Sequence, residues 1–138
     1  MNTNTKEVSA KQWITKDLIR AFGETTSDDQ WIHARSEKPI AHGALLVSLA
    51  IAQLNSLWPS NVKTEYSATV VTAIRNVMFV RPIYGESFVD FTFHIEEHRQ
   101  SSTYEVPFAI KIIDPASKTS RLAVSGNIGL RDLEMENE

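Results

Sequence analysis

The 138-residue sequence contains no cysteine. Disulfide frameworks, thiolate nucleophiles and cysteine-based zinc sites are excluded together. Nor is there an excess of positive charge. Fourteen Lys and Arg stand against 17 Asp and Glu, a net charge of −3 with a pI near 5.8. The positive field that general binding to a phosphate backbone needs is missing, so nucleic acid is not an expected partner. The start, MNTNTKEVSAKQW, has no apolar run behind a basic segment, so no secretory leader is read and a cytoplasmic location is expected. Asp, Glu, Lys and Arg are all absent from Pro39 to Val62. The strongly apolar part of that stretch, Ala44 to Leu54, is still only about half of the ~20 residues a membrane span requires. His42, Ser48 and Gln53 interrupt or flank it, and no span is expected.

What is present is 42% hydrophobic content, enough for one packed core. A single domain over residues 1–138 is expected, with 1–8 and 133–138 flexible. Thr15 reads as the N-cap of a helix KDLIRAFGETT, in which Leu18, Ala21 and Phe22 form an i, i+3, i+4 stripe. TTSDD is a break rich in capping residues, and Gln30 to Ser36 reads as a further helical turn before Pro39. An apolar helix over Ala41–Trp58 follows, stopped by Pro59-Ser60-Asn61. Being apolar on nearly every side, it is expected to be wrapped by other structure.

Beyond Glu65 the period changes from helical to two. Val89, Phe91, Phe93 and Ile95 alternate with polar residues; Tyr104, Val106, Phe108, Ile110 and Ile112 alternate with Thr103, Glu105, Pro107, Ala109 and Lys111; and Leu122, Val124, Ile128 and Leu130 stand against Arg121, Ser125, Asn127 and Arg131. Turns are expected at Pro82 with Gly85, at Arg99–Ser102 and at Asp114-Pro115. A fourth strand over Ser67–Val80 has irregular alternation, which implies two covered faces or a bulge. Pro107 within a strand implies an edge or a bulge. Four antiparallel strands with one apolar face need cover, and the apolar helix is available to supply it. The expected fold class is α+β, a curled antiparallel sheet around one long central helix.

Proton chemistry near neutral pH points to the histidines. His94, on a polar strand face, and His98, beside a turn, read as solvated. His33 stands five residues after Asp28, in a segment with Trp31 and Ile32 that runs toward Pro39. Alone, this spacing fits an Asp N-cap and an ordinary helical histidine equally well. In PIAHG, residues 39–43, a glycine opens the apolar helix. Its amide can approach a ligand oxygen where the helix end carries partial positive charge, an oxyanion hole for a thioester carbonyl. The other use of Gly43 is a tight junction against the sheet. Together, Asp28 and His33 for a water and Gly43 for a carbonyl are the groups that conjugate hydration of an enoyl thioester requires. No metal or organic cofactor is needed for that chemistry.

FGETTSDDQWIHA resembles the segment of MaoC-like proteins that carries their catalytic Asp and His. PIAHGALLVSLAIAQL is similar to the Ile-Ala-His-Gly signature and helix of that family, and RNVMFVRPIYGES to its later strand. The likeness spans about residues 12–132. It implies the hot-dog fold, a homodimer or a double hot-dog heterodimer, and water addition to a trans-2-enoyl thioester or its reverse. It implies an acyl-CoA or acyl carrier protein substrate, with Asp28, His33 and Gly43 catalytic and Trp31 and His42 in contact with substrate. Ser27 stands where relatives carry a glycine, and Arg35 where they carry an acid. Only nine residues, Ala34 to His42, separate His33 from Gly43, a shorter loop than most relatives have. A hot-dog thioesterase, or a non-catalytic subunit that binds an acyl chain or a partner, are the other functions considered.

Overall fold

The helix stripe of residues 16–26 has the cap that the sequence predicts. In the computed structural model, which describes residues 5–57, 67–96 and 102–134, α1 spans Lys16–Thr26 and the Thr15 side chain accepts from the Leu18 amide. α2 is one turn, Trp31–Ala34. α3 runs Gly43–Leu57, two residues later in its start than the sequence suggests. The stop at Pro59-Ser60-Asn61, most of the turn at Arg99–Ser102, and His98 fall outside the described residues.

Among the described residues five strands, not four, form the sheet. They are β1 (Thr5–Ile14), β2 (Ser67–Phe79), β3 (Ser87–Glu96), β4 (Thr103–Ile113) and β5 (Ser120–Glu134), antiparallel in the order β1-β3-β4-β5-β2. For residues 5–8 β1 corrects the expectation of a loose start, since Thr5 pairs with Glu96 and Ile14 with Ser87; residues 1–4 lie outside the described residues. β5 likewise carries the sheet to Glu134. β1 escapes a period-two reading because Gln12 interrupts its half-buried series Val8, Ala10, Gln12. The structure supplies the reason: the Gln53 amide of α3 donates to Gln12 Oε1 at 2.9 Å, which satisfies a polar group turned toward the helix.

The alternating apolar residues of the later strands do face one core. Phe91 pairs with Ile110 and Phe93 with Phe108, and all four are buried with Val124, Ile128 and Leu130 of β5. The helix closes this face with Leu45, Leu46, Ala50 and Leu54. Leu122 departs from the pattern. A register shift lies between Ile110 and Lys111, whose partners are Val124 and Leu122. The bulge turns Ala123 inward and leaves Leu122 exposed. β2 has two register shifts, between Val71 and Ala73 and between Arg75 and Met78, and Asn76 takes a left-handed φ of 55° there. Its irregular pattern comes from bulges, and neither face of this edge strand is fully covered.

Two expectations about cover need correction. α3 is not wrapped on all sides in the single chain, because Ala44, Ser48, Ala52 and Asn55 are exposed. Pro107 lies in the central strand of the order. It sits one residue past the last β3–β4 pair, Phe93 with Phe108, and opposite Asn127 of β5, so among the described residues only the β3 side of its strand is unpaired at that point.

Candidate active site

Asp28 is placed by the way α1 ends. Ser27 adopts a left-handed conformation, φ 58° and ψ 28°. The Asp28 amide donates back to the Gly23 carbonyl at 2.9 Å and the Ser27 amide to Glu24 at 3.4 Å. This is a Schellman-type closure, which normally favours glycine at the left-handed position. It folds the chain back so sharply that a Cβ on Gly23 would lie 2.8 Å from the Asp28 carbonyl oxygen and 3.4 Å from His42 Nε2. The glycine in α1 is thus a steric requirement of the site.

His33 is fixed by the short loop that follows α2. Ile40 clamps that turn from both of its backbone groups. Its amide donates to the Ile32 carbonyl at 2.8 Å, and its carbonyl lies 2.5 Å from His33 Nδ1. A carbonyl can only accept, so Nδ1 carries the hydrogen and the lone pair of neutral His33 is on Nε2. The loop is held in turn by Ala41, whose amide donates to Ile83, and by Pro39, whose carbonyl accepts from Gly85, both at 2.8 Å. The nine-residue connection is therefore what sets the tautomer of the candidate base.

His42 enters the same cluster from the start of α3. It is 4% exposed. Its ring is stacked on His33 at 3.9 Å between centroids with planes 23° apart, and Phe22 meets it at 4.9 Å and 55°. Its Nε2 is 3.8 Å from Asp28 Oδ2. Among the described residues neither ring nitrogen has a hydrogen-bond partner, a condition that destabilises a fold by about 1–3 kcal/mol for a buried polar group. Burial, and after it the neighbouring His33, hold its pKa below the ordinary histidine value, against an upward pull from the charge and backbone carbonyl of Asp28. The next residue, Gly43, is packed under Phe79 of β2, whose ring would lie 2.8 Å from an added Cβ. The tight-junction use of this glycine is therefore real. Its amide still belongs to the first turn of α3, where N–H groups have no carbonyl one turn earlier to bond.

Asp28, His33 and His42 each present one ligand-type atom within 4.8 Å of the others. The identities suit a zinc-class ion, but the ring arrangement does not. An ion at ~2.0–2.1 Å from two imidazoles lies close to both ring planes, and the near-parallel planes of His33 and His42 do not meet at such a distance. Asp28 and His33 line an open cleft of about 270 Å³ with Arg20, Gly23, Glu24, Ser27, Asp29 and Ala34. Trp31 is 61% exposed on α2 and does not line this cleft. His94 is exposed beside Glu7 at 4.0 Å, away from these groups. The contributions that sequence reasoning missed are those of Phe22 and Gly23. A glycine in the last turn of an amphipathic helix, five residues before the candidate Asp, was the available signal.

No family model matches the chain, and no curated protein sequence matches it. Solved structures do. An unliganded R-hydratase from Pseudomonas aeruginosa superposes with a TM-score of 0.68 at 16% identity, over 96% of this chain and 87% of that one. An (R)-hydratase from A. caviae involved in PHA biosynthesis gives 0.65 at 17% identity, over 91% and 93%. An acyl-CoA hydrolase variant from Staphylococcus aureus gives 0.65 at 14% identity, over 92% of this chain and 66% of that one. The described helices include none long and apolar enough to cross a membrane. With one long helix packed on a curled five-stranded antiparallel sheet, and with (R)-hydratases and an acyl-CoA hydrolase as structural neighbours, the chain has the hot-dog fold.

Proposed function

We propose that this protein is a hydro-lyase that adds water to an enoyl thioester, or removes it from a 3-hydroxyacyl thioester, carried on coenzyme A or an acyl carrier protein. The observation that carries this reading is the shared cleft of Asp28 and His33, with the His33 Nδ1–H committed to Ile40 and a lone pair left on Nε2. In hydration, a water held between Asp28 and His33 gives up a proton as its oxygen bonds to C3. The C2–C3 π electrons move toward the thioester carbonyl, whose oxygen gains negative charge. The Gly43 amide at the positive end of α3 supplies a donor there. A proton then passes from the Asp28 and His33 pair to C2, and dehydration is the same path reversed.

Two of the structural neighbours are (R)-hydratases, which agrees with this reaction and with an (R)-3-hydroxyacyl product. The acyl-CoA hydrolase neighbour shows the same fold under a different name. In a hydrolase, water would attack C1 and release the thiol. We take the working unit to be a pair of hot-dog protomers, because edge strand β2 exposes Val70, Val71, Ile74, Met78 and Phe79. A long apolar edge is one that soluble proteins cover.

The test is hydration of crotonyl-CoA and longer enoyl-CoAs, followed by loss of the conjugated enoyl absorbance. Asp28→Asn and His33→Ala are each expected to slow it by about 10²–10⁴-fold, the usual contribution of a positioned acid or base, with assembly unchanged. Activity that survives both substitutions refutes the residue assignment. Inertness toward every enoyl substrate, with binding to a homologous chain, identifies a non-catalytic subunit instead.

A further inference from the structure

We propose that His42 is a positioning residue of the water-activating pair: its Nε2–H faces Asp28, turns one carboxylate oxygen inward and leaves the other for water, while its ring supports His33 from below. The kinetic part of this inference rests on the hydro-lyase reading; the contact with Asp28 does not.

Three independent features meet at this ring. It is 4% exposed, yet both nitrogens lack a hydrogen-bond partner among the described residues. An aromatic or aliphatic side chain would fill the same space without that penalty, so packing alone does not account for a histidine. Nε2 lies 3.8 Å from Oδ2 of the candidate acid, whose backbone carbonyl also acts on the ring. That gap is longer than a hydrogen bond; the Asp28 side chain is 34% exposed, and its other oxygen, Oδ1, accepts from the Gln30 amide at 3.4 Å, so a small rotation about that contact brings Oδ2 within reach. Finally, the approach is built for. Gly23 lets the chain reverse so that Asp28 comes beside His42: a Cβ there would meet the Asp28 carbonyl oxygen at 2.8 Å, while its 3.4 Å from His42 Nε2 is ordinary contact.

The titratable neighbours fit the assignment. Asp28 and His33 face the ring directly, and Arg20, Glu24 and Asp29 line the adjoining cleft. His33 is stacked face to face with His42, so a proton on both rings at once is disfavoured. Neutral His42 with its hydrogen on Nε2 donates to a carboxylate and leaves the proton-accepting task to His33. Its ring also blocks the rotation that would break the His33 Nδ1–H bond to Ile40.

The experiment compares wild type, His42→Phe and His42→Asn. With crotonyl-CoA as the probe, His42→Phe is expected to lower kcat on the order of tenfold, part of the 10²–10⁴ that positioned acid–base groups supply, with KM little changed. Its melting temperature should equal or exceed that of the wild type. His42→Asn, which keeps an N–H donor, should recover part of kcat. A folded His42→Phe with wild-type kcat overturns the proposal. Nitrogen-15 spectra of the histidine rings give an arm that needs no turnover. An Nε2–H tautomer at His42 whose signals shift in Asp28→Asn is expected. An Nδ1–H tautomer, or no response to Asp28→Asn, overturns the proposal whether or not the protein hydrates an enoyl thioester. A responsive His42 in a wild type inert toward every enoyl-CoA overturns the hydro-lyase reading and retains the contact.

Discussion

Two imidazole rings stacked at 3.9 Å, one of them buried, make the site sensitive to acid. His42 is held below the histidine value of 6.5 by burial and by His33. In the unfolded chain it titrates near that ordinary value, so as pH falls the unfolded state binds the proton first. The stability tied to His42 is therefore whole above about pH 6.5 and is lost as pH falls below it toward the lower folded value. Thermal melts from pH 8 to pH 5 should show a steeper loss for wild type than for His42→Phe, and equal slopes would contradict the burial of a neutral ring. Gly23→Ala should act on the same cluster, since its Cβ meets the backbone oxygen of Asp28 at 2.8 Å. We expect a loss of about 1–3 kcal/mol, the range for overpacking, and a fall in activity from displacement of Asp28. At this scale Asp28, His33 and Gly43 were legible as a motif. The contact of His42 with Asp28 was not, because it depends on where the last turn of α1 reverses, which the left-handed Ser27 determines.

The ends of the elements, more than their middles, shape the cleft. α1 ends on Ser27 at φ 58°, a conformation that disfavours any side chain by about 1–2 kcal/mol and suits glycine. Ser27→Gly should raise stability by roughly 0.5–1 kcal/mol, once the greater freedom of glycine in the unfolded chain is set against that relief. Asp28 and the hydration rate should be left in place. A denaturation midpoint that falls would contradict the Schellman closure. α2 and the short loop act as one element, because Ile40 bonds to Ile32 and His33 together. The helices and the three regularly alternating strands were readable because burial on one face imposes a period. β1 was not, since Gln12 breaks the period to pair with Gln53 of α3. Leu122 was misplaced because a bulge leaves no mark on composition.

For the whole molecule the open question is cover. β2 ends the sheet with Met78 at 63% and Phe79 at 54% exposure, and Phe79 is also the ring packed on Gly43. A second protomer on this edge would bury the apolar row and brace the start of α3 at once. The double variant Ile74→Lys, Met78→Glu should elute as a monomer where wild type elutes as a dimer, and should lose hydration activity through Phe79. A wild-type monomer with full activity would contradict this. The fold at this scale was foreshadowed by one apolar helix and a run of half-buried strands; the exposed edge was not, because exposure depends on strand order, which no local pattern encodes. The central claim, that water is directed at C3 of an enoyl thioester, is tested most directly by incubating wild-type protein with crotonyl-CoA and resolving the products by mass. The account predicts 3-hydroxybutyryl-CoA, one water heavier than the substrate, with the thioester intact. Free coenzyme A with crotonate would contradict it.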